Sequence, residues 1–133
     1  MTVMGAINQL NAVKPNGYGQ SEKIKWLSTL DGIVKAEIID THEGASDNAK
    51  NFKGYTNNSL MAELLIPAPY DDIYIKWLEA QIDYANGEYG KYNNSISMYN
   101  AAYDAFSKYY NRTHMPIQKE FTHIFYQHKK VLQ

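Results

Sequence analysis

The sequence predicts an all-α protein, a small bundle of about four to five helices organised around one long stretch, residues 70–112. Three observations carry that prediction. From Tyr89 the larger side chains fall at Tyr89, Tyr92, Ile96, Tyr99, Tyr103, Phe106 and Tyr110. Steps of three and four place them on one stripe of a helix. Upstream, Ile73, Trp77, Ala80 and Tyr84 keep the same rhythm, with Asn86-Gly87 between the two runs. Glycine there takes the left-handed geometry that ends or bends a helix, so the stretch reads as a helical hairpin or as a rod kinked at Gly87. Nearer the N-terminus, Ile24, Leu27, Leu30, Val34 and Ile38 follow helical spacing as well.

In chain order, Val3, Ile7 and Leu10 predict a short first helix that Pro15-Asn16-Gly17 must end. Ser21 is a good N-cap and Glu22 suits the first turn of a second helix, expected over 21–43. Trp26 lies beside its apolar line, where it either widens that face or meets another chain. Residues 44–59 are rich in Gly, Asn and Ser and read as an exposed, mobile loop. Leu60 to Ile66 is apolar and closed by Pro67 and Pro69, which favours an extended end. Asp71 and Asp72 stand where a helix N-terminus favours negative charge. Asn111 to Met115 reads as a joint. Beyond Pro116, residues Ile117, Phe121, Ile124, Phe125 and Leu132 outline one face of a last helix. The chain is thus expected to divide into a helical domain, 1–116, and a C-terminal tail, 117–133, that contacts a partner.

Composition narrows the function. The chain has 133 residues, a formal net charge of −1 and no cysteine. That excludes a disulfide scaffold and a thiolate metal site, and argues against a surface that grips a phosphate backbone. No basic, then continuously apolar, leader opens the sequence, and no apolar run approaches the roughly 18 residues of a membrane helix. A soluble intracellular protein with no membrane partner is expected.

Catalytic signals are thin. Neither a nucleophile elbow nor a phosphate-cradling glycine loop appears. The histidines are His42, His114, His123 and His128, and Glu120 to His123 has E-x-x-H spacing. Di-iron bundles need that motif twice plus two further carboxylates, so no metal, cofactor or catalytic residue is assigned. Glu37, Asp40 and Glu43 share a helical face by spacing, and a solvated face is the commoner meaning of such a run. Neither reading makes the protein an enzyme.

The tyrosines point elsewhere. Twelve occur in the chain, nine of them between Pro69 and Pro116. Aromatic platforms for single-stranded bases come with a basic groove, whereas this segment carries six acidic and four basic residues. Tyrosine offers large contact area with little entropy to lose, which suits protein–protein contact. The candidate partner-binding residues are Trp26, Tyr70, Tyr74 and Tyr109, with Phe121, Phe125 and Tyr126 in the tail.

Several of these motifs together resemble a known family. They are Pro69-Tyr70-Asp71-Asp72-Ile73-Tyr74, Ala80-Gln81-Ile82-Asp83-Tyr84, Asn86-Gly87-Glu88-Tyr89, Tyr92-Asn93-Asn94-Ser95, and Tyr109-Tyr110-Asn111-Arg112-Thr113-His114-Met115-Pro116. With Lys25-Trp26-Leu27, Glu37-Ile38-Ile39 and Thr41-His42-Glu43, they resemble small head–tail connector proteins (adaptor or head-completion proteins) of tailed phages and prophages of Gram-positive bacteria. The resemblance covers residues 21–43 and 69–116, about half of the chain. It is specific in the second block and weak in the linker.

The resemblance implies a helical virion protein of the neck, made in the host cytoplasm. Such a protein forms a homo-oligomeric ring of twelve copies between the portal protein and a tail-side completion or stopper protein. The ring extends a channel through which DNA passes without specific binding. Residues 44–59 and 60–66 would be docking elements, and the tail would reach the portal or a neighbouring subunit. The alternatives are an all-α accessory or regulatory module that binds protein, and a metal-dependent helical enzyme.

Overall fold

The computed structural model describes residues 1–117, and they form a small all-α bundle. Helix α1 spans Val3–Val13. Thr2 caps it, its Oγ1 accepting from the Gly5 N–H at 3.0 Å, and Val3, Ala6, Ile7 and Leu10 bury one face. Helix α2 spans Gln20–Val34 and runs on through a π-helical turn, Lys35–Ile39. The cap is Gly19, with no side-chain bond. Ser21 therefore lies inside the first turn instead of capping it, and its Oγ faces Asn57 Oδ1 at 3.4 Å.

The expected apolar line Ile24, Leu27, Leu30, Val34 and Ile38 is buried. The widened turn adds Ile39 beside Ile38. Lys35 and Asp40 span the turn twice, through Asp40 N–H to Lys35 C=O at 2.8 Å and through their side chains at 2.9 Å. The turn also corrects the carboxylate face. Helix ends before Glu43, Glu37 accepts from the Tyr103 hydroxyl, and Asp40 is held by Lys35.

Residues 44–59 are largely exposed, as expected, yet fastened at defined points. Helix α3, Asp47–Lys50, is capped by Ser46 and buries Ala49. Tyr55 N–H donates to Ser28 Oγ at 2.7 Å. Residues 60–61 form a turn instead of an extended piece, and 62–66 run irregularly beside the N-terminus, with Thr2 and Glu63 in an isolated antiparallel bridge. Val3 N–H donates to Ala62 C=O at 3.0 Å, and Leu64 N–H donates to Met1 C=O at 3.0 Å. Leu64 and Ile66 point into the core.

A 3₁₀ turn, Tyr70–Asp72, leads into α4, Ile73–Ala85, and α5 follows over Tyr89–Thr113. Helix α4 is the centre of the bundle. It packs on α1, α2 and α5 and buries Ile73, Tyr74, Ile75, Leu78, Ala80, Ile82 and Asp83. Gly87, at φ +72°, breaks the helix rather than kinking it, so α4 and α5 fold back as an antiparallel hairpin and not a rod. Trp77 meets Tyr99 at 4.8 Å, and Tyr84 meets Tyr92 at 5.3 Å, across the two helices.

Gly87 has open space around its Cα, so only backbone geometry restricts the position. Gly87→Ala is expected to lose on the order of 1 kcal/mol in chemical denaturation, and Gly87→Asn clearly less. Equal stability of wild type and Gly87→Ala would show that the turn does not require the left-handed conformation.

The expected joint at Asn111–Met115 begins later, because α5 continues to Thr113. The chain then extends beside the end of the π turn. Glu43 N–H donates to Met115 C=O at 2.7 Å, and Ile117 N–H donates to Thr41 C=O at 3.1 Å.

Candidate interaction site

Two surfaces at opposite ends of the hairpin carry exposed or half-exposed aromatics. At the end that holds the C-terminus of α5, Tyr70 stacks on Tyr109 with centroids 4.7 Å apart, and Phe106 packs against both. The sequence placed Tyr70 and Tyr109 off the core stripe, and the fold brings them together. Beside them a hollow of about 210 Å³ is lined by Ile39, Leu65, Pro67, Phe106, Tyr109 and His114. His114 lies flat on Tyr110 at 3.7 Å, and His42 meets the same ring edge-on at 5.2 Å. These two histidines are therefore occupied in aromatic packing.

At the other end, Tyr84 and Tyr89 are 58% and 61% exposed and pack edge-on, with Tyr92 completing the cluster. Periodicity assigned all three to the core stripe. Tyr84 and Tyr89 face outward beside the hairpin turn, while Tyr92 stays half-buried against Tyr84 across the two helices. The signal was present in the sequence, since Tyr84 and Tyr89 flank the Asn-Gly turn. Tyr18 reaches this end too, its hydroxyl donating to Asn86 Oδ1 at 2.6 Å.

The remaining predicted contact residues divide. Trp26 is half-buried. Its ring meets Tyr18 at 5.6 Å and its carbonyl accepts from Trp77 Nε1 at 2.8 Å, so it widens the apolar face of α2. Tyr74 is corrected. It is fully buried, because its hydroxyl is required inside the core. Phe121, Phe125 and Tyr126 lie outside the described residues.

Two buried carboxylates were missed altogether. Asp31 takes the Tyr55 and Tyr74 hydroxyls at 2.5 and 2.6 Å and the Leu65 N–H at 3.1 Å, while Ile66 N–H donates to the Tyr74 oxygen at 2.8 Å. Burial raises the Asp31 carboxyl above its ordinary value despite those three donors. Asp83 receives Lys14 Nζ at 2.6 Å and Ser95 Oγ at 2.5 Å. Burial pushes it up, but Lys14 and Ser95 outweigh burial and hold it below the ordinary carboxylate range. Each carboxylate is enclosed by its own partners, so each fastens structure.

Among the described residues, no group of three or more His, Asp or Glu is placed to hold a metal ion, and no helix is long and apolar enough to cross a membrane. The fold and these surfaces define a small all-α bundle built on an antiparallel hairpin with an aromatic cluster at each end. Compared with protein-family models, with curated proteins and with solved structures, the chain matches none.

Proposed function

We propose that the protein is a structural subunit of a phage or prophage neck, a head–tail connector that assembles as a ring between portal and tail components. The observation that carries this reading is the pair of dissimilar aromatic surfaces at the two ends of α5. Tyr89 and Tyr109 are twenty residues apart on one helix, or about 30 Å at 1.5 Å per residue. A ring needs heterologous contacts, in which one surface of each subunit meets a different surface of its neighbour. Both ends belong to the block that resembles the connector family, and Asn86, Gly87 and Glu88 of that block form the hairpin turn itself. A near-neutral chain also suits a channel that passes DNA without holding it.

The test is the mass of the purified protein, alone and mixed with purified portal, by light scattering, with negative-stain images of the mixture. The expected result is a species that joins the portal as a stacked ring. A stable monomer or dimer indifferent to the portal rules the connector out and leaves an accessory protein-binding module.

A further inference from the structure

We infer that the groove between α2 and residues 52–57 is a docking site for an extended, acidic segment of a partner protein. Two adjoining hollows of about 430 and 400 Å³ share Lys25, Ser28, Lys53 and Gly54 and so form one continuous trough. Lys35 stands at one end and Phe52 on the loop-side bank. Three lysines and no acidic residue line these two hollows, in a chain whose net charge is −1, and Asp47 lines a third hollow beyond Phe52 and Lys53. Lys35 is already paired with Asp40 at 2.9 Å. Among the described residues, Lys25 and Lys53 enter no ion pair.

The trough is built in advance. Ser28 Oγ accepts from Tyr55 N–H at 2.7 Å and lies 3.3 Å from the Tyr55 carbonyl, so the banks are tied across the floor. Tyr55 is held a second time by Asp31 at 2.5 Å. Gly54, at φ +108°, turns the loop with no side chain over the opening. A fixed site of this kind binds with little ordering cost.

Its dimensions select the occupant. Lys25 and Lys35 are ten residues apart along α2 and its π turn, or about 15 Å. An extended chain rises about 3.3 Å per residue, so four or five residues cover the trough from Lys25 to Lys35. Lys53 faces the span between them from the opposite bank. A duplex presents one charge per roughly 1.7 Å of axis, far denser than two free lysines and no arginine can match. The charge spacing therefore favours an acidic polypeptide over nucleic acid. This inference is independent of the ring proposal.

The experiment is fluorescence anisotropy of the full chain with a labelled oligoglutamate peptide, at low salt and again near about 0.15 M ionic strength, where the screening length is about 8 Å. Binding is expected at low salt and weaker at the higher. Lys25→Ala and Lys53→Ala are each expected to weaken it about two- to fivefold, and Lys25→Glu with Lys53→Glu to abolish it. The control is Lys76→Glu with Lys108→Glu, which changes net charge equally at residues that do not line the trough. Circular dichroism checks that each variant folds. Retained binding in the control supports the groove. Equal loss in both double variants, no binding by the wild type, or tighter binding of a labelled oligothymidine strand than of the peptide overturns it.

Discussion

Asp31→Ala is expected to destabilise the protein by about 3–5 kcal/mol, lowering the melting temperature by about 10 °C or more. The carboxylate is fully buried and is the shared acceptor for Tyr55, Tyr74 and the Leu65 amide. Removing it leaves three donors with no partner, and a stranded buried donor costs about 1–3 kcal/mol. The bonds also join segments distant in sequence, fastening α2 to the 52–57 loop, to residues 64–66 and to α4. Asp31→Asn keeps one carbonyl acceptor and is expected to lose less.

The pH dependence has a definite sign. Burial raises the Asp31 carboxyl in the folded state, so the folded protein holds that proton more readily than the unfolded chain. The stability linked to this proton is fully present below the ordinary carboxylate range, about pH 4, and is lost as pH rises through the raised value. Wild type measured against Asp31→Asn should therefore lose ground between about pH 4 and neutrality. Chemical denaturation across that range is the measurement. A loss under about 1 kcal/mol for Asp31→Ala would show that the network does not hold these segments.

Phe106→Ala is expected to cost about 3–5 kcal/mol, the usual range for emptying a buried aromatic site. Phe106 is 1% exposed and stands among Tyr70, Tyr109 and Tyr110 at 5.9, 6.3 and 5.8 Å. It also lines the 210 Å³ hollow, so truncation opens that hollow into the core. The surrounding rings belong to α5 itself and to the 3₁₀ turn and cannot all close on the gap. Phe106→Leu keeps most of the volume and is expected to cost about 1.5 kcal/mol or less. Denaturant midpoints with an unchanged slope would report this cleanly. A Phe106→Ala variant as stable as Phe106→Leu would mean that the hollow collapses and that the site is softer than its packing indicates.

Much of the fold was legible because helical periodicity is local information. The apolar line of α2 and the buried face of α1 follow from spacing alone. The late part of the α5 stripe, Tyr99, Phe106 and Tyr110, was also read correctly as core. Its early part was not, because the stripe states which residues share a face and never how far the covering helix extends. Tyr84 and Tyr89 are exposed at the hairpin turn, and Tyr92 is only half-buried.

Asp31 left a trace that went unread. It lies on the line Ile24, Leu27, Asp31, Val34 and Ile38, at steps of three and four, where a carboxylate must be buried with partners. Those partners come from 24, 34 and 43 residues away, so no local pattern names them. The same limit applied to Tyr74, whose aromatic character suits a surface contact and a core equally well. Its hydroxyl is drawn inward by Asp31 and the Ile66 amide.

By itself the sequence determined the all-α class, the positions of the long helices and an interruption of the helical pattern at Gly87. All of these depend on neighbours within a few residues, where backbone geometry and side-chain period act directly. Only the tertiary structure decided that the two halves of 70–112 fold back as a hairpin, which tyrosines are covered and which lysines share one open trough. Those outcomes depend on contacts between segments far apart in the chain, where burial of apolar area and satisfaction of buried polar groups choose among arrangements that local spacing leaves equivalent.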